Sequence, residues 1–182
     1  MRLQSLQHLI EIVRAVGRPQ RVTVLGSGSL LASHPDLGEP GRPLEVTLDA
    51  DFLLDPVNDA IAESLQFAAG AESAFLKEFG YYADILHPTI VETLPAGWES
   101  RLHPVEGYDN VFALDPYDLA LVKLTVGRPK DLDLLRALLK LGLIEPEHLR
   151  RHYQAIPLEE RAAVTAGRNL NALLQELASA KV

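Results

Sequence analysis

Cysteine is absent from this chain. That excludes disulfides, thiol nucleophiles and cysteine-ligated zinc together, and it fits a reducing cytoplasm. Long apolar runs are missing too: none approaches the ~20 residues of a membrane span. The opening Met1–Ser5 leads into an amphipathic pattern where a signal peptide would have a continuous apolar core. Basic charge is scarce. A formal net charge of −8 argues against a protein that coats nucleic acid through its overall field, although a local basic pocket needs only a few cations. What remains is a chain of 182 residues, 47% hydrophobic and 23% charged. This is an ordinary globular composition, long enough for one domain or a domain with a small helical appendix.

The most informative stretch runs from Arg21 to Asp51. Val22-Thr23-Val24-Leu25 reads as an apolar strand entering the turn Gly26-Ser27-Gly28-Ser29, with an apolar restart at Leu30-Leu31. Glycines let backbone N–H groups approach an anion, serines add uncharged donors, and a following helix start offers unpaired donors. The turn lacks the Gly-Lys-Ser/Thr ending of a Walker loop and is not the dinucleotide GxGxxG. Leu44 to Phe52 then alternates. Leu44, Val46, Leu48, Ala50 and Phe52 fall on one face of a strand, with Glu45, Thr47, Asp49 and Asp51 on the other. Asp49 and Asp51 therefore project side by side, roughly 6–7 Å apart. Their repulsion is relieved by a divalent cation between them, and Mg²⁺ favours one or two carboxylates completed by substrate phosphates.

Helical spacing of Leu3, Leu6, Leu9, Ile10, Val13 and Val16 predicts a helix over 2–16, stopped by Gly17 and Pro19. A short helix follows over 28–34, then a loop rich in breakers from Ser33 to Pro43. Asp55-Pro56 reads as a cap with proline at the first helical position, opening a helix that Gly70 ends. Glu72 to Phe79 reads as a short helix; Tyr81–Leu86, Thr89–Leu94, Arg101-Leu102 and Val111–Ala113 have strand character. From Asp115 the pattern is helical: to Val126, then Leu132–Leu141 with Asp131 as its cap, then Pro146–Tyr153 and Leu158–Ala180. The division this predicts is a core over 1–114 and a helical region over 115–182 packed on it.

The order strand, Gly-Ser turn, helix, Asp-x-Asp strand resembles the nucleotidyltransferase superfamily of the DNA polymerase β type, through Leu25-Gly26-Ser27 and Asp49-Ala50-Asp51. Further on come Gly80-Tyr81-Tyr82-Ala83-Asp84, Leu94–Leu102, Asp118–Leu124 and Gly127-Arg128-Pro129-Lys130-Asp131-Leu132. In that order they resemble an uncharacterised bacterial nucleotidyltransferase-like family related to the AbiEii-type toxins of type IV toxin–antitoxin systems. The resemblance covers roughly residues 20–145.

It implies an α/β (α+β) fold, a mixed sheet flanked by helices with a helical C-terminal extension. It also implies metal-dependent transfer of a nucleoside monophosphate from an NTP to an acceptor, tRNA or protein, with pyrophosphate leaving. Such sites hold Mg²⁺ or Mn²⁺ on three carboxylates: Asp49, Asp51 and a third, for which Asp84 matches the family and Glu92 is the alternative. The nucleotide would contact Gly26, Ser27, Ser29, Lys123, Arg128 and Lys130, and the partners implied include a cognate antitoxin or operon partner. The competing function is a catalytically inactive module of the same fold that binds a nucleotide or a partner.

Single residues have plainer readings. Lys123 sits among apolar neighbours, either snorkelling to the surface or reaching an anion. His148 and His152 have i, i+4 metal spacing without the acidic third ligand of a zincin, so a polar helix face is the reading. One of Tyr81 and Tyr82 should face the site, where it could stack on a base.

Overall fold

The structure is a computed structural model that describes residues 1–179. Its chain forms two compact units, residues 1–92 with 99–115 and residues 93–98 with the helices from Pro116 onward.

The first unit is built on five strands. β1 (Arg21–Leu25) lies at the centre, antiparallel to β2 (Asp49–Asp55) and parallel to β5 (Val111–Ala113). β3 (Tyr82–Ile85) runs parallel to β2 at one edge, and β4 (His103–Pro104) runs antiparallel to β5 at the other. The sheet order is therefore β3-β2-β1-β5-β4, a mixed sheet of the expected class. Val22, Val24, Ala50, Phe52, Leu54, Ala83 and Ala113 occupy one face, all buried. α1 (Leu3–Gly17) and α3 (Asp59–Ala69) pack on each other and on β3, bringing Leu6, Leu9, Ile10, Val13 and Leu65 into the same core. Burying each such side chain contributes about 1.5–3 kcal/mol.

Several boundaries differ from those the pattern predicts. The alternation expected to run as a strand from Leu44 to Phe52 does so only from Asp49 onward. Glu45 N–H donates to Arg42 O and Thr47 N–H to Leu44 O, both at 3.1 Å, so the segment coils in successive turns. Over 44–48 only Leu44 is buried, with Val46 80% and Leu48 51% exposed, whereas Ala50 and Phe52 are buried in β2. α3 is capped by Asn58, whose side chain accepts from Ile61 N–H, while Asp55 ends β2. Residues 88–93 wind into a 3₁₀ turn where a strand was expected, and the left-handed residue after α1 is Arg18, not Gly17. α2 (Leu30–Ser33) and α4 (Ala74–Phe79) are short, as expected.

The second unit centres on α5 (Pro116–Val126), with α6 (Pro129–Lys140), α7 (Pro146–Ala155) and α8 (Glu160–Ser179) packed around it. α5 buries residues on every side, as a central helix must. Ala180, the predicted end of the last helix, lies outside the described residues. No helix among the described residues is long and apolar enough to cross a membrane.

Candidate functional site: a carboxylate face beneath a glycine turn

β2 alternates half-buried and buried residues from Asp49 onward, so Asp49 and Asp51 share the sheet face opposite α1 and α3. Register adds the third carboxylate. β3 pairs Tyr82 with Asp49 and Asp84 with Asp51, setting Asp84 beside Asp51 on that same face. Glu92 stands exposed in the 3₁₀ turn, in no strand. Strand pairing thus sets Asp84, and not Glu92, beside Asp51.

The Gly26–Ser29 turn closes over this face. Gly26 has φ 55° and ψ −160°, a conformation reserved in practice for glycine. It packs so tightly on Asp51 that a Cβ there would overlap the carboxylate. Ser29 is buried, and its hydroxyl donates to Gly26 O at 2.8 Å, which closes the turn. Ser27 is only half-buried, and its hydroxyl has no hydrogen bond among the described residues, so of the two serines it is the one able to donate to an anion.

The electrostatics follow from crowding. Partial burial, then the negative charge of Asp49, raises Asp84 above the usual carboxylate range. Burial, then the charges of Asp49, Asp84 and Asp51, raises the Tyr82 phenol, which therefore stays protonated. Tyr81 points the other way, into a cluster with His8, Phe75 and Phe79, and its hydroxyl meets His8 Nδ1 at 2.9 Å. Tyr82 is the aromatic on the carboxylate face, legible from its i−2 spacing to Asp84.

Among the described residues, no three histidine or acidic groups are gathered closely enough to cage a metal unaided. That donor set suits a cation held by one or two carboxylates and completed by phosphate oxygens, the habit of Mg²⁺. Because partial burial, and then the charge of Asp49, disfavour the ionised carboxyl, Asp84→Asn is expected to raise the melting temperature of the metal-free protein at pH 7. The sign is set by linkage: an upward-shifted acid opposes folding when ionised, and the opposition fades as pH falls through its raised folded pKa toward the unfolded one. A lower melting temperature in Asp84→Asn would contradict this.

The predicted basic residues lie in the second unit. Lys123 is 8% exposed, and its Nζ donates to Asp131 Oδ1 at 2.8 Å. Arg128 Nε donates to Asp131 Oδ2 at 2.6 Å, while Lys130 is exposed. Asp131 is accordingly no helix cap. It is the buried anion that gathers both cations, and Arg128 occupies the cap position of α6 without a side-chain capping hydrogen bond. Sequence reasoning also missed the role of Asp118, which is fully buried in α5 with its Oδ1 2.7 Å from His152 Nε2. Its signal was the all-round apolar pattern of α5, which forces any polar residue there to find a partner. His148 stacks on Tyr117 at 4.0 Å, so neither histidine sits on a purely polar face.

No curated protein and no solved structure matches the chain. One family profile matches residues 1–174, and by that match the chain belongs to the family described as nucleotidyltransferase of unknown function (DUF6036).

Proposed function

We propose that the chain is a metal-dependent nucleotidyltransferase that moves a nucleoside monophosphate from an NTP onto an acceptor hydroxyl of tRNA or protein. The observation that carries this reading is that Asp49, Asp51 and Asp84 share one sheet face, with the Gly26–Ser29 turn packed on Asp51. Asp49 and Asp51 would hold Mg²⁺ or Mn²⁺, with phosphate oxygens of the NTP completing its shell and Asp84 beside Asp51 on the same face. When bound, such an ion withdraws charge from the α-phosphate and the leaving pyrophosphate. Ser27 and the turn's backbone N–H groups orient the phosphates. Asp84, whose carboxyl is the one raised, would take the proton of the attacking hydroxyl. The acceptor oxygen forms its bond to the α-phosphorus as the bond to pyrophosphate breaks, and pyrophosphate departs with that electron pair.

Relation to the AbiEii-type toxins, and a place in a toxin–antitoxin pair of the cytoplasm, belong to the same proposal; the absence of cysteine is compatible with it. A second reading, a module that binds nucleotide or partner without turnover, gains from one observation. Lys123, assigned to phosphate by the resemblance, already has its ammonium paired with Asp131.

Calorimetric titration of each NTP with MgCl₂ separates these readings. Wild type is expected to bind, and Asp49→Asn with Asp51→Asn to lose at least tenfold in affinity, about 1.4 kcal/mol, while melting normally. Arg128→Ala and Lys130→Ala titrated alongside test the resemblance's phosphate assignments. Labelled NTPs then report turnover on tRNA and on protein. Binding without pyrophosphate release would favour the inactive module, and unchanged metal dependence in the double variant would reject the carboxylates as ligands.

A further inference from the structure

The first unit carries a second concave surface, on the side of β3 away from the carboxylates. α3 and α4 meet at a turn fixed by Ser73, whose Oγ donates to Gly70 O at 2.7 Å and accepts from Leu76 N–H at 3.2 Å. Between the two helices runs an open groove of about 830 Å³. Phe75, Ile85 and Ala62 contribute its apolar lining, and Phe67, Glu63 and Glu72 line it too. Ile85 alternates with Asp84 along β3, so an occupant here would leave the carboxylate face open.

Three features define the occupant. Phe67 is 89% exposed, an aromatic side chain that folding of this unit leaves in water. Aromatic anchors of this kind carry much of the energy of protein interfaces once a partner covers them. Glu63 and Glu72 are exposed and make no ion pair among the described residues, and no basic side chain lines the groove. The floor is firm, because Phe75 is locked against Phe79 with ring centroids 4.6 Å apart. A cleft between two helices accepts a third through side chains at i, i+3 or i+4 and i+7, with its flanking charges over the rim. Here those charges must be positive.

We propose that the α3–α4 groove docks a short cationic amphipathic helix of a partner protein. The apolar stripe of that helix covers Phe67 and Phe75, and its lysines or arginines meet Glu63 and Glu72.

The probe is a fluorescein-labelled 18-residue peptide of leucine and lysine, with leucines at helical spacing, followed by anisotropy against the full chain. Wild type is expected to bind it at least tenfold more tightly than Phe67→Ser. Glu63→Gln with Glu72→Gln is expected to weaken it several-fold and flatten its salt dependence. All three positions are exposed, and thermal melts check that the variants stay folded. A control peptide with glutamate for lysine separates groove recognition from burial of leucine alone. Equal binding by wild type and Phe67→Ser would overturn the proposal, since the net charge of −8 then explains the attraction. Equal binding of the glutamate peptide would also overturn it. So would sedimentation showing a wild-type dimer that Phe67→Ser dissociates, because a second copy would then be the occupant.

Discussion

Asp131→Ala is expected to destabilise the helical unit by about 3–5 kcal/mol, the range for removing one partner of a buried ion pair. Asp131 is 1% exposed and receives Lys123 from α5 and Arg128 from the turn before α6. Without it the Arg128 side chain, 57% exposed, can turn to water. The Lys123 ammonium cannot, and it stays in an apolar setting with the Asp131 counter-charge gone. Domains of this size are stable by about 5–15 kcal/mol, so the loss is a large fraction of the whole. Lys123→Met with Asp131→Leu should recover most of it, because apolar packing replaces a buried pair at little net cost. Urea unfolding followed by circular dichroism reads both effects, with separate transitions sought for the two units. A change within ~0.5 kcal/mol for Asp131→Ala, the level of an ordinary surface substitution, would show the pair to be incidental.

The same triad predicts an acid response. Burial alone would raise Asp131, but hydrogen bonds from Arg128 and Lys123, and then their charges, outweigh it and hold the carboxyl below its usual range. Its contribution to stability is therefore complete above the unfolded carboxylate pKa of about 3.9 and is lost as pH falls through the lower folded value. Asp131→Asn should flatten that part of the acid-stability curve.

The contrast between Asp49/Asp51 and Asp131 shows what a sequence carries on its surface. The first pair is legible because strand alternation is local: two residues of spacing fix a shared face whatever the partner strand. The same logic fails at Leu44–Leu48, where i→i+3 turn bonds satisfy the backbone without a neighbour, and alternation then has no physical meaning. Asp84 needed the register of β3 on β2, a non-local fact. Asp131 needed the side of α5 on which Lys123 emerges, and Asp118 needed His152, thirty-four positions away. Buried charges in helices are settled by tertiary partners, so cap rules read from composition misassigned Asp131. The sheet class was legible through the resemblance carried by Leu25-Gly26-Ser27 and Asp49-Ala50-Asp51, whose order along the chain is a local fact.

Gly26→Ala is expected to be the most damaging change to the carboxylate face that leaves every carboxylate in place. At φ 55° and ψ −160° a side chain costs on the order of 1–3 kcal/mol in backbone strain. The new Cβ would also coincide with an oxygen of Asp51, with the carboxyl carbon only 2.8 Å away. Either the turn opens, and the backbone donors above the sheet disperse, or Asp51 swings away from Asp49 and Asp84. Both outcomes dismantle the proposed metal and phosphate contacts, so Mg²⁺-dependent NTP affinity should fall at least tenfold, together with a lower melting temperature. Gly28→Ala two residues on supplies the comparison. Its Cβ would meet Ala50 Cβ at 3.5 Å, an ordinary contact, and its backbone needs no positive φ. That variant should stay within about 1 kcal/mol of wild type and bind as wild type does. If the two substitutions weaken NTP binding equally, close approach of the turn to Asp51 plays no part in the site. If Gly26→Ala titrates like wild type, the turn is a chain reversal and the phosphates lie elsewhere.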